Sequence, residues 1–314
     1  MKCVRCKKTG SIELRYNKEW LCEQCFAGLF EDRVRKNIRI NRLLEKKDKI
    51  AVALSGGKDS CVALYILNFL SNKAPKSRLI AFSIDQGIGK KEDEGIKKAK
   101  KLCGKLNIEH YIYSFKEEFG CGLDEIIKKT KKFDRTAPAC TYCGVLRRKL
   151  LNTKARELHV DKVATGHNLD DEIQAGMMNY VRGDLGRMAR LGSLVGVVRD
   201  PAWIPRIKPL RTCPENEVRL YAQLKGIDYS EKTCPYSGEA FRGTIREILD
   251  KLEDTHPGSK FQILKSTDEL SKILREKETN KETMKRCQTC KEPTASNMCK
   301  YCELCQKLGL GKVK

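Results

Sequence analysis

Apolar runs alternate along the chain with longer stretches whose apolar residues recur at helical spacing. KIAVAL (49–54) and RLIAFSID (78–85) are continuous enough in apolar residues to predict buried strands, and HYIYSF (110–115) and DKVATGH (161–167) predict two more. Helical spacing follows from Ser60 to about Ser71, over 92–107, near 123–132 and over 144–158. This alternation predicts an α/β fold with a doubly wound parallel sheet, and such sheets hold ligands at the carboxyl ends of their strands. Beyond Gly183 the pattern loosens into a Gly/Arg/Pro-rich connection, followed by helices around 214–225, 241–252 and 261–278. No long internal repeat is present.

The two ends of the chain read differently. Cys3-Val4-Arg5-Cys6 and Cys22-Glu23-Gln24-Cys25 flank IELRYNKEWL, a stretch of hairpin character. Cys287-Gln288-Thr289-Cys290 and Cys299-Lys300-Tyr301-Cys302 repeat the arrangement near the C-terminus. Two C-x-x-C pairs joined by a short loop are what a tetrahedral Cys₄ zinc requires, so two Zn²⁺ are expected, with Cys305 a bystander just past the second set. Between the first module and the first strand, a helix is expected over 31–47. Val34, Ile38 and Leu43 or Leu44 would lie on one face, with Arg33, Arg35, Lys36, Arg39, Arg42 and Lys46 around the rest, either against RNA or in solvent. The expected division is a module over 1–30, a basic linker helix over 31–48, the α/β domain over 49–212, a helical extension over 213–284 and a second module over 285–314.

Composition narrows the partner. The 314 residues are 40 % hydrophobic, enough for a sizeable core, yet 63 Lys and Arg against 41 Asp and Glu leave a net charge of +22. That excess points to a polyanion, with nucleic acid the usual one, and otherwise to a lysine-rich solubility bias. No apolar run approaches the roughly 18 residues of a membrane span, and MKCVRCKKTG has no signal-peptide character, so a cytoplasmic protein without membrane contact is expected. In that reducing setting the 16 cysteines are better suited to metal than to disulfides. Cys61, Cys103, Cys121 and Cys213 default to buried thiols.

The first strand breaks into Ser55-Gly56-Gly57-Lys58-Asp59-Ser60 before a helix resumes. Glycines let backbone approach an anion, the helix N-terminus directs N–H groups at it, and Ser55, Lys58 and Ser60 offer further donors. The stretch is a phosphate cradle distinct from G-x-x-x-x-G-K-[ST], because its glycines are adjacent and an aspartate follows the lysine. At the end of a later strand stands ATGHNLDDE (164–172), whose Asp170 and Asp171 either hold Mg²⁺ on phosphates or cap the next helix. Pro138-Ala139-Cys140-Thr141-Tyr142-Cys143-Gly144 precedes Arg147 and Arg148, and Cys234 lies in KTCPYS (232–237). Read from spacing alone, Cys140 and Cys143 are a redox pair, half a zinc site or, with Cys234, three ligands of a [4Fe–4S] cluster with one iron open.

SGGKDS, PACTYCG, ATGHNLDDE and KTCPYS, in this order between two cysteine modules, resemble the TtcA/TtuA family of tRNA 2-thiouridine synthetases, PP-loop ATP pyrophosphatases, and most closely its two-zinc-finger branch. The resemblance implies ATP-dependent 2-thiolation of a tRNA uridine. It places cluster ligands on Cys140, Cys143 and Cys234, and ATP contacts on Ala53, Leu54, Ser55, Gly56, Gly57, Lys58, Asp59, Ser60, Ile84, Gly166 and Asp171. Arg147 is expected among the cofactor contacts too; it stands where relatives can have Lys, an exchange that keeps a phosphate contact but not a neutral amine. Asp59 and Asp171 are expected at the Mg²⁺ and phosphates. Zinc ligands fall on Cys3, Cys6, Cys22, Cys25, Cys287, Cys290, Cys299 and Cys302. The implied partners are tRNA, a sulfur donor that is either free sulfide or a ubiquitin-like thiocarboxylate carrier, and a second copy of the chain in a homodimer. Competing readings are a thiolase with a Cys140/Cys143 persulfide pair and no cluster, and a non-catalytic zinc-finger RNA-binding protein.

Overall fold

The structure is a computed structural model that describes all residues except 72–77, 134–137, 196–199, 201, 237–240, 279–284 and 311–314. Ser237, the last residue of KTCPYS, therefore lies outside the described residues.

The N-terminal cysteine pairs bracket the expected hairpin, β1 (Ile12–Leu14) antiparallel to β2 (Glu19–Leu21). The helix expected over 31–47 starts earlier and stops earlier, as α1 (Glu23–Ile40). Its end is set by Arg42, which adopts φ +47° while Leu43 N–H returns to the Ile38 carbonyl at 3.0 Å, a Schellman closure that no glycine announces. Phe26, Phe30, Val34 and Asn37 on α1 are buried.

The central unit runs β3 (Lys49–Ala53), α2 (Lys58–Ser71), β4 (Arg78–Asp85), α3 (Gly89–Leu106), β5 (His110–Ser114), α4 (Phe115–Phe119), α5 (Leu123–Phe133), α6 (Ala139–Glu157) and β6 (Lys162–Ala164). It continues through α7 (Leu169–Val181), α8 (Leu185–Ala189), β7 (Leu194–Val195), β8 (Arg206–Ile207) and α9 (Glu215–Leu224). After these come α10 (Phe241–Thr255), α11 (Ser259–Glu278), a short antiparallel pair β9 (Lys285–Arg286) and β10 (Pro293–Thr294), and α12 (Lys300–Leu308). The sheet order is β5-β4-β3-β6-β8-β7, parallel except that the edge strand β7 runs antiparallel to β8. The chain winds outward from β3 through β4 to β5, then returns to the other side of β3 at β6. The switch point thus lies between the carboxyl ends of β3 and β6.

One core cluster reaches from Cys3 and Leu21 through Phe26, Phe30 and Val34 to α2 and α9, so the N-terminal module is packed into the main body. Phe30 stacks on Tyr221 of α9 with centroids 4.3 Å apart. Arg33, counted by sequence among the outward basic residues, turns inward to Glu217 and to Tyr16 Oη at 2.6 Å. A second cluster joins α4, α5 and α6 to the C-terminal module through Phe119, Ile126, Leu146, Leu150, Tyr301 and Leu304. Glu292 fastens that module to α6 by accepting from Lys149 Nζ at 2.7 Å and Arg156 Nη2 at 2.8 Å. Among the described residues no helix is long and apolar enough to cross a membrane.

Candidate active site

The loop after β3 owes its shape to its own side chains. Ser60 Oγ donates to the Gly57 carbonyl at 3.0 Å and accepts from Ser55 N–H at 3.2 Å, closing the turn from inside. Gly56 has φ +76°, and a Cβ there would lie 1.9 Å from the Gly95 carbonyl oxygen of α3, so neither conformation nor space admits a side chain. The amides of Lys58, Asp59 and Ser60 open α2 and have no intrahelical acceptor, which is what an anion at a helix N-terminus uses. Ala53 ends β3, Leu54 is buried with its N–H on the Phe82 carbonyl at 2.9 Å, and Ile84 sits near the end of β4, half-buried. The residues expected to contact ATP therefore gather along one edge of the sheet, around the switch point.

Gly166 lies two residues past the end of β6 and closes the other side. A Cβ on it would stand 2.6 Å from Ser60 N and 2.7 Å from Asp59 C, so the two strand-end loops touch backbone to backbone. Asp59 accepts from Asn168 Nδ2 at 2.9 Å and from Lys58 Nζ at 3.0 Å. Desolvation raises its carboxyl above the usual range, against Lys58 and Asn168, and nearby Asp171 adds to the rise. Lys58 Nζ also donates to Glu215 Oε1 at 2.7 Å, so its ammonium lies between two carboxylates rather than reaching out as a free donor. The two acids at 170–171 have separate tasks. Asp170 accepts from Lys260 Nζ and from Glu215 N–H at 2.7 Å, binding α11 and the start of α9 to α7. Asp171 forms a capping box with Asn168 (Asp171 N–H to Asn168 Oδ1, 3.0 Å), and its Oδ1 takes Arg242 Nη1 at 3.1 Å. Desolvation raises Asp171 too, with Arg242 opposing. Glu172, beside them, accepts from Lys208 Nζ and, at 2.8 Å, from Arg211 Nε, a buried network.

The three isolated cysteines come to the same end of the sheet. Residue 138 is the N-cap of α6, so Cys140 and Cys143 are its second and fifth helical residues rather than part of a loop before a helix starting at 144. They are three residues apart and share a helix face. Cys143 Sγ lies 2.7 Å from Gln86 Oε1, and Cys140 Sγ lies 3.7 Å from the Tyr236 carbonyl, two residues past Cys234. Cys143, Cys234 and Tyr236 border one apolar cluster. The segment leading to Cys234 is tied to the glycine loop, because Ser230 N–H donates to the Gly56 carbonyl at 2.8 Å and Gly57 bridges Ser230. It is also tied to α3, where Lys98 Nζ meets Asp228 Oδ1 at 2.6 Å. Gln86 and Asn168 were not singled out by sequence. Each directly follows or opens an element at a strand's carboxyl end, and that position is the signal that could have found them. Arg147 lies on α6 beside Arg148, both exposed.

The sulfur atoms of Cys3, Cys6, Cys22 and Cys25, and those of Cys287, Cys290, Cys299 and Cys302, each lie within 4.8 Å of one another. Cys6 and Cys22 are 3.6 Å apart, as are Cys290 and Cys299. Tetrahedral ligands at a Zn–S distance of about 2.3 Å stand about 3.8 Å apart, so both groups fit zinc, and neither contains a bonded S–S pair. Burial alone would raise the Cys3 thiol, but the amides of Cys22, Cys6 and Arg5 bring it down to about 6; those of Cys290, Cys299 and Thr289 do the same for Cys287. Cys305 is buried on α12 outside its neighbouring group. Cys61, Cys103, Cys121 and Cys213 are buried, and desolvation pushes Cys61 and Cys213 up to about 12.

Residues 30–252 match a family model described as a PP-loop domain. The chain is 36 % identical to the tRNA 2-thiolation protein NcsA of Haloferax volcanii, over 98 % of this chain and 99 % of that one. It is 32 % identical to the tRNA-5-methyluridine(54) 2-sulfurtransferase of Pyrococcus horikoshii, over 96 % of this chain and 93 % of that one. Among solved structures, the U34-tRNA thiolase NcsA from Methanococcus maripaludis with its [4Fe–4S] cluster superposes with a TM-score of 0.85 at 38 % identity, covering 98 % of both chains. Two strand-end loops around one switch point, three cysteines drawn to it, and likeness over the whole length agree: the chain belongs to the PP-loop family of tRNA 2-thiolation proteins.

Proposed function

We propose that this protein uses ATP to activate a tRNA uridine and replaces its C2 oxygen with sulfur. The observation that carries the reading is the direct attachment of the cysteine site to the nucleotide loop, through the Ser230–Gly56 hydrogen bond and the strand-end Gln86 beside Cys143. An activated atom formed at the loop would meet sulfur chemistry without leaving the carboxyl edge of the sheet.

The amides opening α2 and the backbone of Gly56 and Gly57 would hold the ATP phosphates. Asp59 and Asp171, both raised by desolvation, are suited to Mg²⁺, which would replace the proton or cation each now needs. The uridine C2 oxygen attacks the α-phosphorus and pyrophosphate leaves. Adenylylation turns a poor uracil leaving group into a good one, so a sulfide-level sulfur can add at C2 and expel AMP. Free sulfide and a carrier thiocarboxylate both supply sulfur at that level. Cys140, Cys143 and Cys234 would hold a [4Fe–4S] cluster; bound through three thiolates, it leaves one iron able to take a further sulfur. The Cys₄ groups would hold two structural zinc ions, and the positive surface would grip tRNA largely through phosphates. Higher identity to the U34 enzyme than to the position-54 enzyme favours the wobble uridine.

Anaerobically reconstituted protein should carry about four irons besides its zinc, absorb near 400 nm, and lose both the absorbance and thiolation on Cys234→Ala. Full thiolation by Cys234→Ala protein, mapped by nucleoside mass spectrometry, would refute the cluster assignment.

A further inference from the structure

Around the nucleotide loop the structure pairs its cations with carboxylates. Lys58 reaches Asp59 and Glu215, Lys208 and Arg211 reach Glu172, and Lys260 reaches Asp170 and Asp250. A second group of cations is built differently. Arg206 on β8 extends Nη2 to the Arg148 carbonyl on α6 at 3.3 Å. The Arg148 side chain folds back toward the start of α6, so that a Cβ on Gly144 would lie 3.0 Å from Arg148 Nη1. The missing side chain of Gly144, next to Cys143, therefore makes room for a guanidinium. Arg147 adjoins both, and Arg187 on α8 stands near Arg148 while pairing with Asp184 at 3.2 Å. No side-chain ion pair reaches Arg147, Arg148 or Arg206 among the described residues.

We propose that Arg148 and Arg206, with Arg147 beside them, form a binding site for a backbone phosphodiester of the RNA substrate at the entrance to the cysteine site. The inference rests on the RNA-thiolase reading above. Three guanidinium groups brought together without a carboxylate are unfavourable by themselves and become favourable when an anion sits among them. The mutual cost is visible: partial desolvation followed by Arg148 and Arg147 pushes Arg206 down to about 10, and desolvation with Arg147 and Arg187 lowers Arg148. The fork of a guanidinium matches the paired oxygens of a phosphate. ATP already has a cradle of α2 amides at the glycine loop, whereas the Arg148 guanidinium lies against Gly144, one residue from Cys143, where the phosphate beside a uridine held at Cys143 would fall. The phosphate could belong to RNA or to ATP, and the two sources separate experimentally.

Full-length, metal-loaded wild-type, Arg148→Gln and Arg206→Gln proteins would be titrated with unmodified tRNA over a series of salt concentrations, and separately with Mg·ATP. Loss of one phosphate contact should weaken tRNA binding about tenfold and reduce the salt slope by about one, with ATP affinity unchanged. Melting temperature should hold or rise in Arg206→Gln, because relief of like-charge crowding outweighs one long hydrogen bond; a merely structural Arg206 would lower it. Unchanged tRNA affinity and slope in both variants would overturn the site. Weakened ATP binding with intact tRNA binding would also overturn it, by assigning the cluster to the nucleotide. Wild-type thiolation of tRNA, followed in parallel, tells failure of this site from failure of the thiolase reading.

Discussion

Gly166→Ala tests how closely the strand-end loops must approach. The added Cβ would meet Ser60 N at 2.6 Å, Asp59 C at 2.7 Å and Asp59 O at 2.9 Å, all backbone atoms with no flexible end to swing away. Ordinary contact begins at 3.4 Å, so the loop after β6 and the first turn of α2 must part by about 0.8 Å. Overpacking of this kind costs about 1–3 kcal/mol, which a domain of ordinary stability survives. The displaced turn, however, carries the amides and Asp59 that would address the phosphates, and a misplacement of about 1 Å at a reacting centre costs about 10²-fold in rate. The variant should therefore fold, unfold in urea at somewhat lower midpoint, and form AMP from ATP with tRNA about 100-fold more slowly. Gly104→Ala is the matched control: Gly104 is exposed within α3, a Cβ there meets nothing within 4 Å, and the change should stabilise by about 0.5–1 kcal/mol with full activity. If Gly166→Ala kept more than half the wild-type rate, the close approach would not be what positions the loop.

Glu172→Ala leaves Lys208 without a carboxylate among the described residues and Arg211 with Asp268 alone, both cations being nearly inaccessible to solvent, and should cost about 3–5 kcal/mol in chemical denaturation. Asp32→Ala, which removes the exposed partner of Arg35, should cost less than about 1 kcal/mol in the same assay. Asp59 and Asp171 bind protons more tightly in the folded chain than in the unfolded one, so the stability they contribute is present at low pH and is lost as pH rises above the ordinary carboxyl value of about 3.9 and through their raised values. Under the proposed assignment of both carboxylates to Mg²⁺, Mg·ATP binding requires both ionised, so its thermal stabilisation should be full at pH 8 and should shrink as pH falls into that window; a pH-independent thermal shift would refute the assignment. Cys305→Ser should retain two zinc ions per chain by metal analysis, while Cys302→Ser should retain one.

The central strands, the glycine loop and both cysteine modules were legible because each depends on local pattern: apolar runs, adjacent glycines and C-x-x-C spacing. What escaped depends on contacts between distant segments. The end of α1 is a non-glycine left-handed residue, Arg42, which composition does not mark. The edge pair β7 and β8 is only two residues per strand and has no periodicity to detect. Asp170 and Asp171 are indistinguishable as neighbouring acids, and only the arrival of Lys260 and Arg242 from later helices gives one a structural bond and leaves the other at the loop. Arg33 reads as surface charge until Glu217 is found beside it.

The clamp between Glu292 and α6 has a consequence for biosynthesis. Lys149 and Arg156 find their common partner 143 and 136 residues later, and Phe119 finds Tyr301, in the second cysteine module. The ribosome thus delivers the helix bearing Cys140 and Cys143 well before it delivers the wall against which that helix rests. Strands β3 to β6 emerge with their mutual pairings already available, whereas the cysteine helix completes its packing only once the second cysteine module has emerged. Packing of the thiol site is thereby placed after that of the nucleotide loop, whose partners Glu215 and Ser230 come earlier in the chain.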